Sequence, residues 1–229
     1  MKTNPISRPC RRSGFTLVEI LVVLALIAML LFFTVPGLKD VLKGSKLTST
    51  ADQIVADLNL AKQTALKESI PVEVRFYKFS DPSARNEERI GAYQCFRLKQ
   101  DMNFPSDYTK PRIPVPLFEK VKAISQGVVI VESQEWSPLV SDPKMVQDRE
   151  RVRGLVSGQQ NTEASYFSFI ISPEGETSLD RTGAKQWYLT LVTESEMQKA
   201  KDPASMKPDN FITLQVDPFT AAVRRYQPN

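Results

Sequence analysis

A run of 21 residues from Phe15 to Val35, FTLVEILVVLALIAMLLFFTV, contains a single charged side chain, Glu19. As a helix it is about 30 Å long, the thickness of a bilayer's hydrocarbon core. The sequence therefore predicts a transmembrane helix over 15–36. Lys2, Arg8, Arg11 and Arg12 precede the run and no acid does. By the positive-inside rule the N-terminus is expected in the cytoplasm, with a single pass of the inner (cytoplasmic) membrane and the C-terminal part periplasmic or extracellular. Lys39, Lys43 and Lys46 follow on the other side and pull against that orientation.

The chain has 229 residues, enough for one ordinary domain with a long extension or for two small domains, and 41% of them are apolar, enough for a real core. There is no histidine, which excludes catalytic triads, zinc sites and proton shuttles that need an imidazole of the chain's own. Serine–lysine, paired-carboxylate and cofactor chemistry stay open. The net charge of +4 is accounted for by the four basic residues of the first 14, so positions 15–229 are formally neutral. Charge gives no argument for nucleic-acid binding. One of the two cysteines, Cys10, lies in the basic leader and Cys95 in the remainder. Removal of the leader would forbid a bridge between them, and Arg8 and Pro9 do not suit a lipidated Cys10. Cys95 reads as a small, half-buried strand residue.

After Pro36 the pattern changes. Leu38, Val41, Leu42, Leu47, Ala51, Ile54, Val55, Leu58, Ala61, Ala65 and Leu66 recur at steps of three and four among Lys, Asp, Gln, Ser and Thr. This is an amphipathic helix over 37–70 whose apolar stripe needs a sheet to cover it. From Pro71 the period becomes two: Val72, Val74 and Phe76 alternate with Glu73, Arg75 and Tyr77, a half-buried strand. Residues 92–98 read as its hairpin partner across a charged loop at 80–90, and further strands are expected at 127–132, 166–172, 186–193, 211–217 and 221–227. Four prolines between 101 and 118 exclude helix and central strand there. Residues 134–164 and 194–210 are polar with little periodicity and read as long surface loops. One long helix followed by strands is an α+β arrangement, with an antiparallel β-sheet domain over 71–229.

No convincing small-x-small signal-peptidase site follows the apolar run. Arg11-Arg12-Ser13-Gly14 before Phe15-Thr16-Leu17-Val18-Glu19 instead resembles the cleavage and N-methylation signal of type IV prepilins and type II secretion pseudopilins. The resemblance implies a leader of residues 1–14 that is removed, Gly14 as its last residue and Phe15 as the new methylated N-terminus. It also implies a role for Glu19. A carboxylate inside an apolar membrane helix costs about 2.5–3.5 kcal/mol and needs a partner; in the family this glutamate is thought to neutralise the α-amine of a neighbouring subunit, here that of Phe15. A glutamate that snorkels or stays protonated is the alternative. Pro36 matches a proline found 22 residues into mature pilins, where it either kinks the helix or ends it at the membrane surface. The helix end AKQTALKES running into PVEVRFY is similar to H-type minor pseudopilins. LNLAKQTAL, PVEVRFYKF, YQCFRLK, QWYLTLV and FITLQVDPFTAAVRRYQP resemble the prepilin-like family called Verru_Chthon cassette protein D.

These resemblances imply a lollipop architecture: a transmembrane and filament-core helix over 15–36, the amphipathic helix, then the sheet. They imply a structural subunit of a pilus or pseudopilus, a minor component and not an enzyme, with a prepilin peptidase, other pilin or pseudopilin subunits, the inner membrane and secreted cargo or secretion machinery as partners. The final hairpin departs from the family, which has Thr-Gly where this chain has Thr220-Ala221-Ala222; this leaves the turn type open. Arg224 and Arg225 are the candidate nucleic-acid contacts, although phosphate binding needs several such residues on one face and a solvated edge strand is the better reading. Asp202 and Asp209 form no clear calcium array, and no phosphate loop, nucleophile elbow or Cys-x-x-Cys is present, so no cofactor, metal or catalytic residue is expected. A DNA-binding minor pilin for uptake and a membrane-anchored periplasmic module of unknown activity are the rival readings.

Overall fold

The computed structural model describes residues 15–82, 87–100, 112–143, 146–156, 159, 161–182, 186–199 and 207–228, with the backbone alone at 32–42, 81 and 146–148. Residues 1–14, expected from the resemblance to be a leader and including Cys10 and Gly14, lie outside the described residues. The first element, α1, is Leu17–Glu68. The chain divides into two units, Met1–Leu42 and Lys43–Asn229.

In the first unit the apolar side chains from Leu17 to Leu31 are exposed around the whole helix. Among the described residues no helix is long and apolar enough to cross a membrane. The expectations of a transmembrane helix over 15–36, of membrane as a location, and of a single inner-membrane pass with its sidedness are corrected accordingly. The apolar run is not a bounded helix of its own: Glu19 lies in the first turn of α1, and the helix continues without a break past the run, through the polar positions after Pro36, to Glu68.

In the second unit the rest of α1 buries Leu47, Ala51, Ile54, Leu58, Ala61 and Ala65, successive steps of four and three that keep one face inward. Thr50 and Thr64, also buried, donate their hydroxyls to the carbonyls of Lys46 and Leu60 one turn back, at 2.8 Å each. Leu60 and Leu66 fall outside the stripe and remain 44% and 46% exposed. The helix stops at Glu68, and Ser69 takes a left-handed φ of 53° before the first strand.

Two antiparallel sheets follow. In the first, β1 (Val72–Asp81) pairs with β2 (Glu87–Lys99) and with β7 (Thr162–Ile171); β3 (Ile113–Pro116) and β6 (Val146–Val152) form its edges, and β4 (Lys122–Ala123) adds to β2. The second runs in the order β10 (Val223–Tyr226), β9 (Phe211–Val216), β8 (Trp187–Thr193), β5 (Val128–Ile130). The helix stripe shares one core with Val72, Val74, Phe76 and Cys95 of the first sheet and Ile130, Leu189, Leu191, Ile212 and Leu214 of the second. The fold is α+β, as the pattern predicts. Pro114 and Pro116 sit on an edge strand, where a missing donor is tolerated.

Three stretches differ from the sequence reading. Residues 80–90 are mostly strand, since β1 runs to Asp81 and β2 begins at Glu87. Within 194–210 a short helix, α2 (Glu194–Lys199), follows β8 directly. Within 134–164 lie β6 and a buried 3₁₀ turn, Pro138–Val140, and neither has the apolar period by which a sequence announces structure. The 3₁₀ turn is held by hydrogen bonds around it. Thr190 donates its hydroxyl to the Trp136 carbonyl at 2.6 Å, and its backbone N–H donates to the Ser137 hydroxyl at 2.9 Å.

Ala221 resolves the turn left open by the sequence. Its φ is 51°, the conformation glycine would supply, and its N–H donates to the Asp217 carbonyl at 2.9 Å. The Asp217 carboxylate accepts from the N–H groups of Phe219 and Thr220 at 2.9 and 3.1 Å, fixing the turn from the other side. Ala221→Gly would remove about 1–2 kcal/mol of left-handed strain. It would also lose a buried methyl worth about 0.8 kcal/mol and add unfolded-state freedom worth about 0.5–1 kcal/mol. The expected change in urea unfolding is thus close to zero, whereas Ala221→Val, β-branched at positive φ, is expected to lose about 1–3 kcal/mol. A large gain from Ala221→Gly would show that the methyl does not contribute to the core.

Candidate functional site

At the start of α1 lie Phe15 and Glu19, for which the family resemblance implies roles in processing and assembly. Phe15 precedes the helix and is largely exposed. Thr16 is its N-cap. The Thr16 hydroxyl accepts from the Glu19 N–H at 3.2 Å, and the Glu19 carboxylate accepts from the Thr16 N–H at 3.5 Å. This is a capping box, Thr-x-x-Glu, which satisfies two of the N–H groups that every helix leaves unbonded at its start. Its negative charge also sits at the positive end of the helix dipole. The spacing is legible in the sequence, but Thr16 is absent from the residues singled out there, because Glu19 is read only as a charge in an apolar run. The cap gives Glu19 a local partner in the single chain.

Gly14 lies outside the described residues. Pro36 lies within α1 and not at its end, so it does not terminate the helix; its side chain is outside those described. Arg224 and Arg225 are neighbours on β10 and point to opposite faces of its sheet. Arg225 pairs with Asp52 on α1 and bonds Gln227 at 3.0 Å, while Arg224 lies with Gln186, Tyr188, Gln215 and Tyr226 on the other face. The structure therefore does not bring the two arginines together as one cationic patch. Asp209 donates its N–H to the Glu196 carboxylate at 3.3 Å, and Asp202 lies outside the described residues. Among the described residues no group of acids, cysteines or histidines is arranged to hold a metal.

Cys95 is fully buried on the helix-facing side of β2, so half-buried understates it. Burial, followed by the negative charge of Asp57, pushes its thiol up to about 12, which leaves it protonated and unreactive at neutral pH. Beside it the Tyr93 hydroxyl donates to Asp57 at 2.6 Å, and Lys122 stands 3.8 Å from the same carboxylate. Burial first, then the bond to Asp57, raises the Tyr93 phenol above its ordinary value. These groups tie α1 to β2 and β4 across the core and form no catalytic constellation.

For Cys95 and Tyr93 the folded state holds the proton more tightly than the unfolded chain does. Their contribution is complete below the unfolded pKa values, near 9 for the thiol and 10 for the phenol. It falls as pH rises above those values, at up to about 1.4 kcal/mol per pH unit for each group. Unfolding free energy is thus expected to decline above about pH 9, and Cys95→Ala is expected to flatten the curve between 9 and 12. An unchanged slope in that variant would assign the alkaline loss to the tyrosines alone.

Residues 9–35 match the family described as "Prokaryotic N-terminal methylation motif". The match covers the leader's end, the capping box and the apolar run, and it supports membership of the type IV pilin-like superfamily. No curated protein and no solved structure matches the chain.

Proposed function

We propose, from the methylation motif at residues 9–35, that the chain is a prepilin-like subunit cleaved between Gly14 and Phe15 and methylated on the Phe15 amine. On this reading it assembles through its N-terminal helix into a pilus or type II secretion pseudopilus as a minor component, of the kind its likeness to H-type pseudopilins and Verru_Chthon cassette protein D suggests. It is the substrate of a prepilin peptidase and not itself an enzyme; its other partners are subunits of the same filament. The motif carries the reading, and the helix supports it physically. Side chains from Leu17 to Leu31 are apolar and exposed on every side, and each large one gains about 1.5–3 kcal/mol on burial. Packing against identical or related helices supplies that burial. Cleavage frees an amine next to the capping box, and Glu19, held at the helix start, is then placed to neutralise the amine of an adjacent subunit.

Mass spectrometry of the N-terminal peptide from native cells tests this. A chain beginning at N-methylated Phe15 is the expected result; an intact Met1 end in cells with an active prepilin peptidase overturns it. Glu19→Val is expected to leave cleavage in place and to abolish recovery of the protein in sheared filaments. Normal incorporation of that variant would remove the assembly role from Glu19 and leave it the cap alone.

A further inference from the structure

The outer face of the first sheet, away from α1, contains a cleft of about 600 Å³, within the range of sites that enclose small organic ligands. Its floor is made by β1 and β2. One wall is β3, with Pro114 and Pro116, and the β3–β4 connection, with Lys120; the other is the end of β6 and the turn after it, with Val152 and Arg153. At the floor Arg75 is fixed between the carboxylates of Glu73 and Glu150, so its charge is already answered.

Gln94 lies next to Arg75 across the β1–β2 ladder and is only 6% exposed. Its side chain lines the cleft, where the amide makes no bond to a described residue and reaches solvent; the buried donor without a partner in this lining is Arg75 Nε. Lys120 and Arg153 face the cleft from opposite walls, and neither has an ion-pair partner among the described residues. Arg151, beside them, is held only by a surface pair with Glu163 at 3.5 Å. Glu119 is the one exposed acid in the lining; Glu150 is taken up by Arg75. The walls and floor also present Phe96, Pro114, Pro116, Val121 and Val152, an apolar surface around a single amide donor.

We propose that this cleft binds a carboxylate carried on an apolar body. The carboxylate is drawn in by Lys120 and Arg153 and accepts a hydrogen bond from the Gln94 amide, while the body lies against Phe96 and the two prolines. The site is independent of the N-terminal processing reading. Its ligand is either a free organic acid or the C-terminal carboxylate of a peptide, which present the same chemistry.

The test is fluorine NMR line broadening of 4-fluorophenylacetate by the full-length protein in amphipol, with 4-fluorophenylacetamide as the uncharged control. Saturable broadening by the acid is expected, with at least about tenfold weaker binding of the amide, the loss of one hydrogen bond to a charged group. Lys120→Gln with Arg153→Gln, both exposed and neutral to folding, is expected to weaken the acid about tenfold and to abolish its salt dependence. Gln94→Leu is expected to weaken the acid at least about tenfold while leaving urea unfolding little changed, since the amide makes no bond to a described residue. A tripeptide with a free C-terminus that displaces the probe, where its amidated form does not, assigns the site to a chain terminus. Displacement by neither peptide, with the acid still bound, assigns it to a free organic acid. Equal binding of acid and amide, no saturation up to about 10 mM, or unaltered binding in the variants overturns the proposal.

Discussion

Replacing Arg75 with alanine is expected to lower the unfolding free energy by about 3–5 kcal/mol, the loss characteristic of breaking one side of a buried ion cluster. Arg75 is 9% exposed; its guanidinium bonds Glu73 at 2.7 Å and both oxygens of Glu150 at 2.9 and 3.1 Å. It lies over the ring of Phe96, 4.6 Å from the centroid, and over that of Tyr166 at 4.5 Å, so two aromatic faces hold the cation in place. Burial works against the charged guanidinium, but the bond to Glu73 and the charges of Glu73 and Glu150 outweigh it and raise its proton affinity. The cation therefore persists throughout the accessible pH range. Alanine leaves Glu73, itself nearly buried, facing a second carboxylate with no cation between them. Arg75→Lys keeps the charge but cannot reach both acids or stack on both rings, and an intermediate loss is expected. Urea unfolding followed by circular dichroism measures all three chains. A loss below about 1 kcal/mol for alanine would mean that water from the neighbouring cleft reaches the two acids.

Leu58→Ala is expected to cost about 2–5 kcal/mol, while Leu66→Ala on the same helix should cost about 1 kcal/mol or less. Leu58 is buried in the core shared by both sheets, so its truncation removes apolar contacts there and opens a cavity. Leu66 is nearly half exposed, and removing its side chain empties no enclosed volume. Equal losses in the two variants would contradict the orientation of α1 on the sheets. The comparison is informative because the sequence includes both leucines in one stripe.

The difference between these leucines shows how far a period can be read. An amphipathic helix at steps of three and four identifies a face about 100° wide. Leu47, Ala51, Ile54, Leu58, Ala61 and Ala65 lie at its centre and are buried as the pattern requires. Leu66 lies at its margin, where the reach of the sheet decides and not the spacing. The strand β1 is similar. Alternation correctly assigns Val72, Val74 and Phe76 to the helix side, but it predicts solvent for Glu73, Arg75 and Tyr77. Tyr77 is instead buried with Phe79, Phe96, Val152 and Leu155 in a second cluster on the outer face.

The long helix before the strands, the central face of α1, the main strands and the N-terminal motif are legible without a structure, because each is written in contiguous residues. The Thr16–Glu19 cap was also there to be read, as a three-residue spacing. That the charged segment Val146–Val152 is a strand follows from contacts made across the fold. It is held in part by Arg75 and Glu150, which are 75 residues apart in sequence, and by pairing with β7. Ion pairs across such distances leave no local period, since a charge is stabilised by whichever partner the fold brings to it. The same holds for the cleft: Gln94 reads as an ordinary strand residue until β3 and the end of β6 rise on either side of it.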